Sequence, residues 1–284
     1  MTRFTCRFIV VAVAAGAIVT LPLVAQQPTP KDPKSPIPGC ADGRGPTGPV
    51  EVKILSPTPG ELIPIPQVPA GQTPPKAAPV EVKLEVKNYE SFMDPATKTG
   101  QGIALIFDNG PTAVHYEPTK PWVYPRVPPG THTIRAFPVR PWGESIKEPG
   151  AFAMVTFSVG QNNGKNSPEP GGPLLTISSP RGKYPLGQKV LLDFLVGGCV
   201  VSGKDVPDSC RVRYRVDETP EVILSSPDPV WLTDLPVGRH AFVVGLTREG
   251  KLIEGPYVIH QGVFEVVGPA QPPASPPKTG APGP

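Results

Sequence analysis

PPGTHTIRAF, residues 128–137, returns 108 positions later as PVGRHAFVVG, residues 236–245, with Pro, Gly and His in the same places. In both, a Pro-x-Gly-x-His turn feeds a run in which apolar residues occupy every second position. That is the period of a strand with one buried face. His132, Ile134 and Ala136 share a face of the first run, and His240, Phe242 and Val244 share a face of the second. A turn written twice before the same kind of strand predicts a duplicated β domain.

The repeat extends in both directions. One unit opens with VEVKILSP (50–57) and the other with LLTISSP (174–180). Each continues into an alternating strand, with Val80, Val82, Leu84 and Val86 in PVEVKLEV matched by Val190, Leu192, Phe194 and Val196 in KVLLDFLV. GIALIFDNGP (102–111) and VRYRVDETP (212–220) are both strands that end in Asp before a proline turn, and MVTFSV (154–159) and GVFEVV (262–267) close the units. Each unit carries about seven short strands, with turn signals every eight to twelve residues or so, the pattern of an immunoglobulin-like sandwich.

The opening Ile-x-Ser-Pro (54–57 and 177–180) and the strand entry Leu/Val-Pro-x-Gly-x-His-x-x (127–134 and 235–242) resemble the Ig-like and fibronectin-type-III-like repeats of exported bacterial proteins. The resemblance covers both units and implies an all-β chain of two tandem immunoglobulin-like β-sandwiches. These motifs mark a fold and carry little about function. The expected organisation is a signal peptide (1–25), a Pro-rich disordered leader (26–49), a first Ig-like domain (50–160) with a Pro-rich insertion (61–79), a Pro/Gly linker (161–173), a second Ig-like domain (174–268) and a Pro-rich disordered tail (269–284).

Arg3, Arg7 and the uncharged FIVVAVAAGAIVTLPLV (8–24) compose an export signal with cleavage after Ala25. The apolar run is short of the 20 or so residues of a membrane span, so retention as an anchor is the lesser alternative. No later segment is apolar enough to cross a membrane. The expected location is secreted, periplasmic or cell-surface. Loss of two Arg and no acid lowers the net charge from +3 to +1, which supplies no electrostatic footprint for nucleic acid. The 44 prolines crowd the two ends, the insertion and the linker, and helix signals are nearly absent after the signal.

The paired histidines raise the question of a metal or a proton carrier. A metal needs three or four converging ligands, and His115 and His260 lie elsewhere on the strands. The expectation is structural: His132 and His240 as neutral imidazoles that fasten each corner to its own loop backbone. Asp108 and Asp217 are expected as Asx-turn residues. A hydrolase built from these Asp and His residues is the weakest reading, and no catalytic residue, metal or cofactor is assigned.

Cys199 and Cys210 bracket a loop of the second unit and are expected to form a disulfide in an exported protein. Cys40 is odd and either pairs between chains or stays free. Trp142, with Arg140, sits in VRPWGES (139–145), which reads as a hairpin tip. An exposed ring there would bind a sugar or a partner surface, and the alternative is a ring folded onto its own loop prolines. Arg211, Arg213 and Arg215 line one face of RVRYR, and the choice is between a track for an anionic polymer and a solvated strand face. The leading function is a non-enzymatic binding or spacing protein, with envelope polysaccharide or a surface protein as partner. A carbohydrate-binding accessory module is the alternative.

Overall fold

Alternating apolar residues, cut by Pro, Gly and Asp turns, leave this chain as strands and loops with no helix among the described residues. The computed structural model describes residues 33–67, 76–204 and 206–269. The expected signal (1–25), the start of the leader (26–32) and all but residue 269 of the tail lie outside the described residues.

The first unit runs through β1 (Glu51–Ser56), β2 (Leu62–Ile63), β3 (Ala78–Lys87), β4 (Phe92–Met93), β5 (Gly100–Phe107), β6 (Ala113–His115), β7 (Trp122–Val127), β8 (Gly130–Val139) and β9 (Ala153–Val159). The second runs through β10 (Leu174–Ser179), β11 (Lys183–Pro185), β12 (Val190–Gly197), β13 (Val200–Val201), β14 (Ser209–Val216), β15 (Val222–Leu224), β16 (Val230–Leu232), β17 (Gly238–Arg248), β18 (Lys251–Leu252) and β19 (Ile259–Val267).

Both units have one topology. Sheet β1-β3-β7 opposes sheet β2-β9-β8-β5-β4, in which β6 also pairs with β5. Sheet β10-β12-β16 likewise opposes β11-β19-β17-β14-β13, with β15 on β14 and β18 on β17. After each Ile-x-Ser-Pro, whose Ser–Pro peptide is cis in both units, the chain leaves the first sheet. It joins the second by pairing parallel to the last strand, β2 to β9 and β11 to β19. The start of the Pro-rich insertion is thus an edge strand. Antiparallel sheets packed face to face in this order make an immunoglobulin-like β-sandwich, twice.

The cores follow the period-two pattern. Val80, Val82, Ile103, Leu105, Ile134 and Phe157 are buried in the first sandwich, and Val190, Leu192, Phe194, Val212, Val244 and Phe264 in the second. Apart from Leu55 and Pro79, the outward residues of the paired stretch of β1 and β3 are charged and pair with one another, as in Lys53–Glu85 and Lys87–Glu51. Exposed pairs of this kind add at most about 1 kcal/mol each and keep the face wet.

The second sandwich departs from that plan. Its β10 is buried at every position, and Leu191, Asp193 and Leu195 of β12 are buried although they point away from their own core. Leu195 clusters with Ala104, Ile106, Phe137 and Val139 of β5 and β8 in the first unit, Leu191 packs with Ile37 and Trp142, and Asp193 meets Ser145 and Lys147. The two sandwiches are packed together through this face.

The expected disordered leader is corrected over 33–49. Ile37 is buried with Trp142 and Leu191. Ala41 N donates to Thr99 Oγ1 at 2.8 Å and Arg44 N to Gln101 Oε1 at 2.7 Å. Gln101 is fully buried, so its amide needs these partners, and it donates in return to the Arg44 and Glu90 carbonyls. The linker region is also pinned: Thr131 Oγ1 bonds Asn162 Oδ1, and the Asn166 carbonyl accepts from Thr133 Oγ1 and from Tyr257 Oη.

Candidate functional site

The repeated turn builds the same small site twice. Asp108 follows β5 and Asp217 follows β14, both with positive φ (52° and 49°), a conformation Asp tolerates better than most residues. Asp108 Oδ1 accepts from Thr133 N at 2.9 Å, and Oδ2 lies 2.9 Å from His132 Nδ1. His132 Nε2 lies 2.9 Å from the Pro128 carbonyl. In the second unit Asp217 Oδ1 accepts from Ala241 N at 2.8 Å, Oδ2 is 2.7 Å from His240 Nδ1, and Nε2 is 2.8 Å from the Pro236 carbonyl. The Asp side chains therefore reach across to the neighbouring strand and do not close an Asx-turn on themselves.

Each ring nitrogen faces an oxygen. A carbonyl and an ionised carboxylate only accept, so the ring is satisfied when both nitrogens carry protons. Burial pulls both histidine pKa values down and is the largest single influence. The carboxylate bond, the proline carbonyl and the carboxylate charge outweigh it and leave both raised. His132 packs beside Phe107 with centroids 4.9 Å apart, and His240 stacks on Phe264 at 5.2 Å. Asp and His do converge, as a hydrolytic pair requires, but no ring nitrogen is left to face a substrate or bind a metal. The arrangement clamps a turn to a strand end.

A second cluster, which the sequence reading missed, lies between the sandwiches. Arg135 of β8 is 1% exposed. Its Nη1 donates to the Leu175 carbonyl (2.9 Å) and Thr176 Oγ1 (3.0 Å), and its Nη2 to Asn109 Oδ1 (3.0 Å) and the Asp108 carbonyl. The Tyr257 ring covers the guanidinium at 5.0 Å. Burial lowers its pKa to about 10, so it stays charged at neutral pH. Nearby, Lys147 Nζ is 2.8 Å from Asp193 Oδ1, close enough for an ion pair although the angle falls short of a hydrogen bond. Ser145 N donates to Asp193 Oδ2 at 2.7 Å. Ser178 and Ser179 hydroxyls both donate to the Gly143 carbonyl. Gly143 has φ 90°, and a Cβ there would stand 2.3 Å from Ser179 Oγ, so only glycine fits this contact.

Trp142 and Arg140, expected as an exposed binding pair, are corrected. Trp142 is 8% exposed and Arg140 5%. The indole packs with Ile37 and Leu191 against Cys40 and Trp231, and its Nε1 donates to Glu144 Oε2 at 2.7 Å. The hairpin tip is large enough to reach the second sandwich, so the ring finds a core that its own domain does not supply. Trp231 joins this cluster and is not in the core of its own unit. It pairs with Leu191, whereas Trp122 pairs with the inward-facing Val82. The two tryptophans are one position out of register, which flips the face of a strand.

Arg211, Arg213 and Arg215 lie opposite Thr247, Gly245 and Val243 on the outer face of their sheet. Arg213 pairs with Glu221 at 3.3 Å, Arg211 donates to the Gly203 carbonyl, and Arg215 is exposed. Cys199 and Cys210 form a disulfide with Cα atoms 5.9 Å apart. Cys40 is a free, half-buried thiol. Among the described residues no three His, Cys, Asp or Glu side chains form a metal-binding group, and no helix is long and apolar enough to cross a membrane.

No family model and no curated protein matches the chain. Among solved structures, the chain is similar to the fibronectin(III)-like modules of Clostridium thermocellum CbhA, at 12% identity and TM-score 0.26, over 76% of this chain and 94% of that one. A putative membrane-anchored protein from Corynebacterium diphtheriae matches at 13% identity and TM-score 0.24, over 82% and 62%. The SGBP-B protein of a Bacteroides ovatus mixed-linkage glucan utilization locus, solved with a mixed-linkage heptasaccharide, matches at 12% identity and TM-score 0.20, over 77% and 70%. The fold assignment rests on strand order and register and not on these likenesses: the chain is an all-β protein of immunoglobulin-like sandwiches.

Proposed function

We propose that this chain is a non-enzymatic, exported protein of the bacterial envelope or extracellular space. Its two sandwiches act as one stiff binding or spacing element, with a surface protein or an envelope polysaccharide as partner. The observation that carries the reading is the buried Arg135 cluster. A guanidinium with no carboxylate of its own, held by carbonyls from both units, is worth keeping only if the units stay in one arrangement.

The test is a distance measurement between spin labels at Lys83→Cys and Lys251→Cys, one in each unit, in a Cys40→Ser background with the native disulfide intact. One narrow distance is expected, broadened by Arg135→Ala. A broad distribution in the parent would remove the stiff-element reading. Fractionation of cells expressing the full chain is expected to find it outside the cytoplasm, and cytoplasmic retention would remove the export reading.

A further inference from the structure

Strand β3 has a neighbour on each side for only part of its length. It pairs with β1 from Lys83 to Lys87, and on its other side with β7 from Ala78 to Val82. Successive residues of a strand in an antiparallel ladder send their N–H and C=O groups to opposite sides. Val52 sits opposite Val86, and its N–H turns away from β3 to the Gly150 carbonyl. Val52–Val86 and Ile54–Leu84 are therefore non-hydrogen-bonded pairs, and the backbone groups of Leu84 and Val86 point to the β7 side. There β7 has already ended. Its first residue, Trp122, lies opposite Val82, Pro121 has no N–H to give, and Lys120 N folds back to the Glu117 carbonyl.

The interrupted ladder leaves a cavity of about 560 Å³ between the free edge of β3 and residues 116–119. Leu84 and Val86 line it from β3, Tyr116 and Pro118 from the loop, and Tyr89 and Ser91 from the turn after β3. Among the described residues the buried Ser91 hydroxyl has no hydrogen-bond partner. Two N–H groups, two C=O groups and one hydroxyl thus face one space that the chain does not fill. The carboxylates at the cavity already have cations, Glu85 from Lys53 and Lys87 and Glu117 from Lys120, so charge does not select an occupant. The second unit treats the same place differently. Phe194 and Val196 match Leu84 and Val86, but the loop that matches 116–119 is tied to the first unit by Lys147 Nζ, which donates to the Pro227 carbonyl. Val201, paired with Cys210 of the disulfide, packs against that core.

We propose that this gap in the sheet takes an extended peptide segment of a partner protein, which continues the line of β7 and pairs with Leu84 and Val86 through its own backbone. Backbone donors and acceptors at every second residue match another strand in register, and a glycan has no such repeat. The occupant is proline-free where it pairs, because proline gives no N–H, so the Pro-rich ends of this chain do not fit. Residues opposite Leu84 and Val86 point to the core side and are aliphatic or β-branched. The residue between them points outward beside Glu85 and is polar. A Thr at one inward position would meet the Ser91 hydroxyl. This site deepens the binding half of the proposed function and rests on it. A gap that binds nothing would leave the stiff two-sandwich element standing, since the spin-label distances read that separately.

The probe is a phage library of random linear dodecapeptides, selected on the chain with Cys40→Ser. Selected peptides are expected to alternate aliphatic and polar residues without proline. A synthetic copy is expected to slow hydrogen exchange at the Leu84 and Val86 amides at least about tenfold. Leu84→Pro removes one donor from the gap and leaves the β1 ladder its bonds, so it is expected to weaken peptide binding at least about tenfold, whereas Leu84→Val does not. Val86→Pro repeats the comparison should Leu84→Pro fold poorly. A library without binders, peptides that bind folded proline variants as they bind the parent, or binding that leaves both amides exchanging as before would overturn the proposal. So would self-association of the parent in sedimentation velocity that Leu84→Pro abolishes, since a second copy would then be the occupant. Laminarin binding lost with Tyr116→Ala and kept with Leu84→Pro would also overturn it, since the gap would then be a sugar site.

Discussion

Asp193 carries no exposed surface, and its carboxylate lies 2.8 Å from Lys147 of the neighbouring sandwich. The pair joins β12 of one unit to the hairpin of the other, and Ser145 N supplies the second carboxylate oxygen with its hydrogen bond.

Removing one partner of a buried pair strands the other charge away from water. Asp193→Ala is expected to cost roughly 3–5 kcal/mol in urea unfolding, and Lys147→Met with Asp193→Leu together far less. A double variant as damaged as the single one would mean that the site needs its charges and not only its packing.

The Asp–His clamps set a pH dependence. Their histidine pKa values are raised above 6.5 in the fold, so each clamp contributes fully below about pH 6.5. The contribution is lost as pH rises through the raised value, because the folded ring must give up a proton that it holds more tightly than the unfolded chain does. The parent is expected to lose urea resistance across this alkaline step, and His132→Phe with His240→Phe to flatten it. An unchanged pH profile in that variant would contradict the assignment.

The Cys199–Cys210 bridge closes a loop of 11 residues in sequence separation within the second unit alone. Cys199→Ser with Cys210→Ser is expected to destabilise that unit by about 3 kcal/mol through loop-closure entropy. Hydrogen exchange should show the loss in β14 and β17 and leave β3 and β5 protected.

Trp142→Ala is expected to lower stability by about 3–5 kcal/mol, the usual cost of emptying a large aromatic site. Thermal melting measures this. Hydrogen exchange at Cys40 N, which bonds the Ile37 carbonyl, should rise with it, because Ile37 loses its neighbour.

Fold and duplication were legible because they rest on a local signal. Val80, Val82 and Leu84, like Val190, Leu192 and Phe194, alternate with other residues, and the Pro-x-Gly-x-His turn recurs in register. The interface was present in the same letters but masked by them. In KVLLDFLV the second face is Leu191, Asp193 and Leu195, where PVEVKLEV has Glu81, Lys83 and Glu85. A strand apolar on both faces is buried on both faces, and that contrast between two otherwise matching strands was the available clue. Trp142 was misplaced for the same reason: its core belongs to another domain, which no local pattern reports. The Asp–His pairing is legible only once β5 is known to lie beside β8, since 24 residues separate the partners.

The burial of Ile37 has a mechanical consequence. The segment that leads into the first sandwich also touches Leu191 and Trp231 of the second. A pull on the N-terminal side of the chain is therefore not borne first by β1 and its edge pairing. It is shared at once across the joint between the sandwiches, so the load path bypasses the strand that would otherwise be peeled away.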